Sequence, residues 1–205
     1  MKRSISVFLC TVLILCITAC SGGDHPKPAK GVLNGKSFSS EYTGVRFTAP
    51  SDSWTFASDA ELAAACNLDP AEFTAENFSN IAESSATVYD MLAQSEEDKI
   101  ALLVGIENPE YSAVCSSTSA KDFVNNTIDS LLSTLDIESN THQISDIEKV
   151  RLCGHEYVRR TLTVETETEK AIQSYYARSI GDYLCIIVIS HTGDTTTEQV
   201  EKLFS

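Results

Sequence analysis

The sequence lacks the short motifs that identify common chemistries. It contains no nucleophile elbow, no glycine-rich phosphate loop, no HExxH pair and no EF-hand spacing. It has 7 cysteines, but no two of them are spaced as CxxC, which excludes a thioredoxin-like redox motif and a zinc ribbon. We therefore expect a protein that is not an enzyme, with no catalytic residue, no cofactor and no metal site.

Basic residues are also scarce. The chain has 15 Lys and Arg against 29 Asp and Glu, a formal net charge of −14. Nucleic-acid binding requires a basic footprint, so this class of partner is excluded, and an anionic membrane surface repels an acidic domain. We interpret the charge as a solvated surface that keeps the domain soluble. A cationic ligand or partner is the alternative.

No apolar run in the sequence is long enough to cross a membrane. The longest covers residues 5–17, whereas a bilayer-spanning helix requires ~20 residues. Lys2 and Arg3 precede this run, and small residues follow it. A basic start, a short apolar run and small residues at the cut are typical of a secretory signal peptide. We expect residues 1–19 to be such a peptide.

Ile17-Thr18-Ala19-Cys20 resembles the bacterial lipobox, which is an aliphatic residue, a small residue, Gly or Ala, and then Cys. The resemblance implies lipid attachment at Cys20, as a diacylglyceryl cysteine with palmitate, and two acyl chains suffice for stable anchoring. It implies a lipoprotein of the cell envelope, anchored at the outer face of the cytoplasmic membrane, or at the outer membrane of a Gram-negative cell. The alternative is a secreted protein in which this cysteine is incidental.

Composition divides the rest of the chain into a tether and one domain. Residues 20–36 comprise Cys20 and a segment rich in Gly, Pro and Lys, which predicts a lipidated, flexible tether. Residues 37–205 are enough for a single domain with a sizeable core. We find no internal repeat.

The first half of this domain is expected to mix short strands and helices. The predicted elements are two short strands within 38–50 about Gly44, a helix at 59–66, a helix from Pro70 to before Ala82, a hairpin of 87–94 and 100–106 with its tip at 95–99, a loop at 108–118, and an amphipathic helix from Lys121 through Leu135.

The second half predicts an antiparallel meander. Its strand-like runs lie at 144–152, 156–165, 171–180 and 183–190, and a capping box at 195–198 introduces a last helix at 199–204.

The run at 183–190 is apolar at both odd and even positions, so both faces of this strand should be buried. We therefore expect a central strand with Ile187 and Val188 buried on opposite faces. The predicted fold class is therefore α+β, an antiparallel sheet flanked by helices on both faces.

Two segments at the start of the domain resemble a known group. The sequences YTGVRFTAP at 42–50 and WTFASDAE at 54–61 look like the start of domains in lipoproteins of gut clostridia-like bacteria, although Ser53 stands where Gly commonly precedes the Trp. Those domains are similar to the PsbP/Mog1-like α-β-α sandwich. The resemblance implies adaptor or assembly roles rather than catalysis, by analogy only, because fold does not fix function.

Cys153-Gly154-His155 is the tightest Cys/His pair in the sequence. It could contribute to a metal site, with Cys185 and His191 as distant ligands, or supply a thiol nucleophile beside basic residues. We favour a hairpin turn in which Gly154 takes a positive φ. His142 and His191 are expected at the surface.

The remaining candidate residues, glutamates and aromatics, are expected to have structural roles. Glu165, Glu167 and Glu169 would line a solvated strand face, with a cation site as the alternative. The aromatic residues Trp54, Phe56, Tyr89, Tyr157, Tyr175 and Tyr176 are expected to pack in the core or on the sheet.

Cys66, Cys115, Cys153 and Cys185 are expected to be free thiols. In a meander that follows chain order, Cys153 and Cys185 would be three strand spacings or ~14 Å apart, beyond the ~7 Å that a disulfide allows. A Cys66–Cys115 bond is left open by this geometry.

These observations lead to two function hypotheses. The first is a non-enzymatic, surface-anchored lipoprotein that binds an envelope protein or assists envelope assembly, with the membrane as a partner through the lipid on Cys20. The second is an extracytoplasmic solute- or cation-binding module. A hydrolase is a weak third, and the sequence indicates no oligomeric state.

Overall fold

An eight-stranded antiparallel sheet dominates the structure, a computed structural model that describes residues 26–134, 141–165 and 170–205. Cys20, Leu135, Glu167 and Glu169 lie outside these residues. The strands of this sheet are β4 (Trp54–Phe56), β5 (Thr87–Ser95), β6 (Ile100–Glu107), β7 (Thr141–Ile144), β8 (Glu148–Leu152), β9 (His155–Glu165), β10 (Lys170–Ile180) and β11 (Tyr183–Thr192).

The strand order is β4-β5-β6-β11-β10-β9, and both β7 and β8 pair with the outer side of β9. The predicted β5–β6 hairpin, the chain order of the meander and the central place of β11 are thus confirmed. Tight turns make this order possible: Cys153 and Gly154 have φ values of 49° and 78°, and Gly181 has a φ of 57°. Such left-handed conformations match the twist of two-residue hairpins.

The strand predicted at 144–152 is in fact two strands, β7 and β8. Ser145 explains the break, because its side-chain oxygen accepts the N–H of Thr161 at 3.0 Å while its own N–H donates to the Thr161 carbonyl at 2.9 Å. A side chain that replaces a backbone partner interrupts the regular ladder.

Four helices are present in the described residues: α1 (Asp59–Ala65), α2 (Phe78–Ser84), α3 (Ala120–Thr134) and α4 (Thr197–Glu201). α1 agrees with prediction and begins with a capping box between Ser58 and Glu61. The second helix was predicted to begin at Pro70, which is wrong, because hydrogen bonds from Ala71 and Glu72 to Asp69 hold that segment in local turns. The last capping box is formed by Thr196 and Gln199, not by residues 195 and 198.

One face of the large sheet carries the main core. A small three-stranded sheet of β1 (Val32–Asn34), β2 (Ser37–Ser39) and β3 (Arg46–Thr48) packs there together with α4. Phe38 and Phe47 from the small sheet and Phe204 after α4 meet Ile187 of β11 in one cluster. α1 and α2 form a second cluster against the β5–β6 end of the sheet.

α3 packs on the opposite face. Phe123, Val124 and Ile128 of α3 pack against Tyr175, Leu184 and Ile186. α3 lies over β9 and β10 and leaves β5 and β6 largely to a loop. Helices therefore occur on both sides, but the sheets dominate, and the expected helix-flanked sandwich is incomplete. Ile187 is fully buried as predicted, whereas Val188, on the α3 side, is only half-buried.

Residues 26–36, which we expected to belong to a flexible tether, lie against the domain and are called the N-terminal strap below. Ion pairs join Lys27 to Glu83 at 2.9 Å and Lys30 to Asp59 at 2.8 Å. No helix in the described parts of the chain is long and apolar enough to cross a membrane. The three clusters use residues 38–204, so a chain of residues 21–205 keeps every contact described here.

Candidate functional site

The Cys153-Gly154-His155 segment forms a two-residue hairpin turn, as predicted. The Cys153 thiol donates to the Arg46 carbonyl at 3.3 Å, and its sulfur accepts the Arg46 N–H at 3.2 Å, which ties the turn to β3. Burial raises the pKa of Cys153, so the thiol stays protonated at neutral pH and is a poor nucleophile. Its geometry is that of a structural clamp.

The four cysteines of the described residues are free thiols. Burial raises the pKa of Cys185 to about 11, and its sulfur lies 3.5 Å from the Tyr157 hydroxyl. The Cys66 sulfur accepts the N–H of Tyr89 at 3.2 Å. Within the described residues, no group of three or more His, Cys, Asp or Glu side chains is arranged to hold a metal ion.

His191 is buried, and the prediction that it lies at the surface is wrong. Its Nε2 is 3.0 Å from Thr197 Oγ1, which lies 3.4 Å from Ser174 Oγ, and Ser174 in turn lies 2.8 Å from Thr161 Oγ1. This chain of hydroxyls joins the start of α4 to the sheet. Nδ1 of His191 has no hydrogen-bond partner among the described residues. Burial lowers the pKa of this histidine.

The other predicted candidates are not brought together. His142 is half-buried on β7, at one edge of the sheet. Glu165 forms an ion pair with Lys170 at 3.3 Å, while the two other glutamates of the proposed cation face lie outside the described residues. Trp54, Tyr157 and the other large aromatic residues of the sheet pack in the core, as predicted, although Phe56 and Tyr89 are only half-buried.

A groove of about 290 Å³ lies beside α3, where the sheet is incompletely covered. Its floor is formed by side chains of β5, β6 and β11, which share one face because Tyr89 pairs with Gly105 and Leu103 with Val188. We call this feature the α3 groove. The half-buried state of Tyr89, Leu103 and Val188 leaves apolar surface accessible to an occupant.

Gly105 shapes the floor of the α3 groove. A Cβ at this position would lie 3.2 Å from Cδ1 of the Tyr89 ring and 3.0 Å from the Val88 carbonyl oxygen. The absence of a side chain therefore lets the tyrosine ring lie across β6, beside Ile186. The ring forms part of the floor instead of standing away from the sheet.

A loop and α3 form the wall of the groove. Val114 in the loop and Phe123 and Thr127 on α3 line it. The loop is held in place by the Asn126 side-chain amide, which donates to the Val114 carbonyl at 2.7 Å, and by Ser112 Oγ, which accepts the Val114 N–H at 3.2 Å. The Oγ1 atom of Thr127 is buried and has no hydrogen-bond partner among the described residues.

The polar end of the groove is Glu107, the last residue of β6. This side chain is 3% exposed, and it accepts hydrogen bonds from the hydroxyl groups of Thr87 and Ser112. Burial raises the pKa of Glu107, against the effect of the two hydroxyls, which favour the ionised form. None of the described residues that line the groove is Lys, Arg or His. A buried carboxyl without a cation at the end of an apolar groove is the arrangement expected of a ligand site.

Sequence reasoning missed this site. A signal existed in Leu103, Gly105 and Glu107, which alternate along β6 and therefore share a face. A carboxylate that continues an apolar face is unusual in a buried strand and deserved a functional hypothesis. Thr127 gave no such signal, because a threonine within an amphipathic helix is common.

Comparison with known proteins adds a likeness in fold. No family model matches the chain, and no curated protein matches it. Among solved structures, it is similar to the solution structure of cyanobacterial PsbP (CyanoP) from Synechocystis sp. PCC 6803, with a TM-score of 0.43, 13% sequence identity, and coverage of 91% of this chain and 92% of that chain. The likeness concerns the general arrangement of sheets and helices, and nothing about ligands or partners follows from it.

Proposed function

We propose that this chain is a surface-anchored bacterial lipoprotein whose PsbP/Mog1-like domain is a non-enzymatic binding module, and that the α3 groove is its binding surface. The observation that carries the proposal is the half-buried apolar floor of Tyr89, Leu103 and Val188, which ends at the buried carboxyl of Glu107. Apolar clefts with a few polar groups at one end are the usual form of small-ligand sites.

Two kinds of occupant are consistent with such a groove. A volume of about 290 Å³ suits a small amphiphilic solute, which favours the solute-binding module over the envelope-assembly role. The second candidate is an envelope protein that inserts an apolar side chain. It is favoured by Leu92, which pairs with Leu103 and extends the half-buried apolar surface along β5 beyond the groove.

Blocking the groove tests the binding function. Ala113 is exposed and lines the groove, so Ala113→Trp places a large ring there with little effect on the core. We expect the chain of residues 21–205 to bind the neutral fluorescent probe N-phenyl-1-naphthylamine, and this variant to bind it at least ten-fold more weakly. Ala71→Trp, at an exposed position in another loop, is the matched control and should bind like the wild type. Equal binding by all three proteins would contradict the proposal.

Anchoring is tested separately, at Cys20. We expect Cys20→Ala to abolish labelling by a radioactive fatty acid and to release the domain or leave an uncut precursor. Cys66→Ala is the control, since it removes a thiol in the folded domain and should leave labelling unchanged. A Cys20→Ala protein that is still labelled and membrane-bound would exclude the lipobox.

A further inference from the structure

The polar end of the α3 groove has an excess of acceptors. An ionised carboxylate offers about four lone-pair sites, and Glu107 uses its oxygens for the hydroxyl groups of Thr87 and Ser112. On the wall of the groove, the buried Oγ1 of Thr127 has no hydrogen-bond partner among the described residues. Glu107 therefore has acceptor sites left for an occupant, and no basic side chain among the described lining residues of the groove competes for them.

The negative charge of Glu107 also favours a cationic head group. A buried carboxylate is stabilised by a cation in contact with it, since two neutral hydroxyls do not offset its charge. An ammonium group supplies that charge and three N–H donors. A carboxylate or phosphate head would instead face Glu107 as a like charge, in a protein whose formal net charge is already −14.

We infer that the α3 groove takes an amphiphilic cation, whose apolar body lies on Tyr89, Leu103 and Val188 and whose protonated amine meets Glu107. This inference rests on the binding function proposed above and names its ligand class. The groove is at the small end of ligand sites, which suits one alkyl chain or a small aromatic group.

Three ligands that share one ten-carbon chain separate the contribution of the head group. Decylamine, decanol and decanoate are each titrated against N-phenyl-1-naphthylamine bound to the chain of residues 21–205. We expect decylamine to displace the probe at a concentration at least ten-fold below that of decanol, and decanoate to be the weakest. Equal displacement by the amine and the alcohol would overturn the inference while leaving the binding function intact. A failure of the probe and of all three ligands to bind would refute the binding function itself.

Glu107→Gln tests whether this carboxylate is responsible. Gln keeps the shape of the side chain and an oxygen acceptor for Thr87, and it removes the charge. We expect decylamine and decanol to bind this variant within about two-fold of each other. Glu97→Gln is the control: it removes the same charge at the exposed β5–β6 tip, ~25 Å along the hairpin from Glu107, and should keep the ten-fold preference. A preference that survives Glu107→Gln would contradict the inference.

A measurement on the unaltered sequence covers the case in which Glu107→Gln does not fold. Screening by salt weakens attraction to the net charge of the whole domain but acts less on a buried contact. We expect the preference for decylamine over decanol to change less than three-fold between ~0.15 M and ~1 M salt. A preference that disappears at high salt would assign it to the overall charge and overturn the role of Glu107.

Discussion

Asp90 makes the stability of this protein depend on pH in an unusual direction. It lies at a bulge in β5, where the register with β6 shifts between Tyr89 and Met91. Its side chain is buried and accepts the N–H of Gly31 in the N-terminal strap, at 2.8 and 3.0 Å to the two carboxyl oxygens. Burial raises the pKa of Asp90 from 3.8 to about 6, although the Gly31 hydrogen bond and the nearby Lys30 favour the ionised form.

The sign of the effect follows from this raised pKa. Between pH ~4 and ~6 the folded protein binds a proton at Asp90 that the unfolded chain does not, so the stabilisation by this group is complete below 3.8 and is lost as pH rises through about 6. One pKa unit corresponds to ~1.4 kcal/mol, so the contribution of Asp90 amounts to about 3 kcal/mol. Above pH 6 the folded protein carries a buried charge.

Asp90→Asn isolates this contribution. The amide oxygen still accepts from Gly31, and the amide N–H group can donate to the hydroxyl of Ser40, which hydrogen-bonds Asp90 in the native protein. We expect the unfolding free energy of the variant relative to the wild type to rise by about 2 kcal/mol between pH ~4 and ~8, because part of the effect lies below pH ~4. Urea unfolding of both proteins across this range measures the difference, in which the other titrating groups cancel. A difference that is constant with pH, or that falls as pH rises, would refute the argument.

Three further predictions concern packing and can be checked by the same urea unfolding. Gly31→Ala should destabilise the domain by ~1–3 kcal/mol, because a Cβ there would lie 2.5 Å from the Phe38 ring, and near-normal stability would show that the strap is not held as described. Ile187→Ala should cost ~2–5 kcal/mol, whereas Val188→Ala, which is half-buried, should cost less than half as much. Equal costs would contradict the open α3 groove. Cys153→Ala should cost ~1–2 kcal/mol, since a backbone N–H of β3 loses its acceptor. An unchanged midpoint would show that the thiol is not a clamp.

Elements whose cause is local could be predicted from the sequence. The capping box of Ser58 and Glu61 fixes the start of α1 within four residues of chain. The glycine turns at Gly154 and Gly181 separate strands whose apolar pattern is clear on its own. The central position of β11 follows from its apolar residues at both odd and even positions. Such a strand is apolar on both faces, which is not expected of an edge strand.

Features set by contacts between separate elements could not be predicted. The strap is polar and rich in Gly and Pro, and it is held by Asp90, a residue 59 positions from Gly31. His191 is the polar residue next to the end of β11, a position that predicts exposure, yet Thr197 of α4 covers it. In both cases a polar group is buried because a group on another element covers it.

The location of the α3 groove follows from the way the chain crosses the sheet between β6 and β7. This crossover could not be predicted from the sequence alone. An α-helix is ~10 Å wide and covers about two strands spaced ~4.8 Å apart, so α3 cannot cover a face of eight strands. The chain leaves β6 at Glu107, in the middle of the sheet, and must reach β7 at its edge. α3 therefore lies over β9 and β10, near that edge, and it leaves β5, β6 and part of β11 incompletely covered. Because Glu107 is the residue at which the chain leaves the sheet, the loop that leads to α3 buries its carboxyl at the end of the uncovered strip. The same crossover thus creates the apolar floor and places a carboxylate at its end.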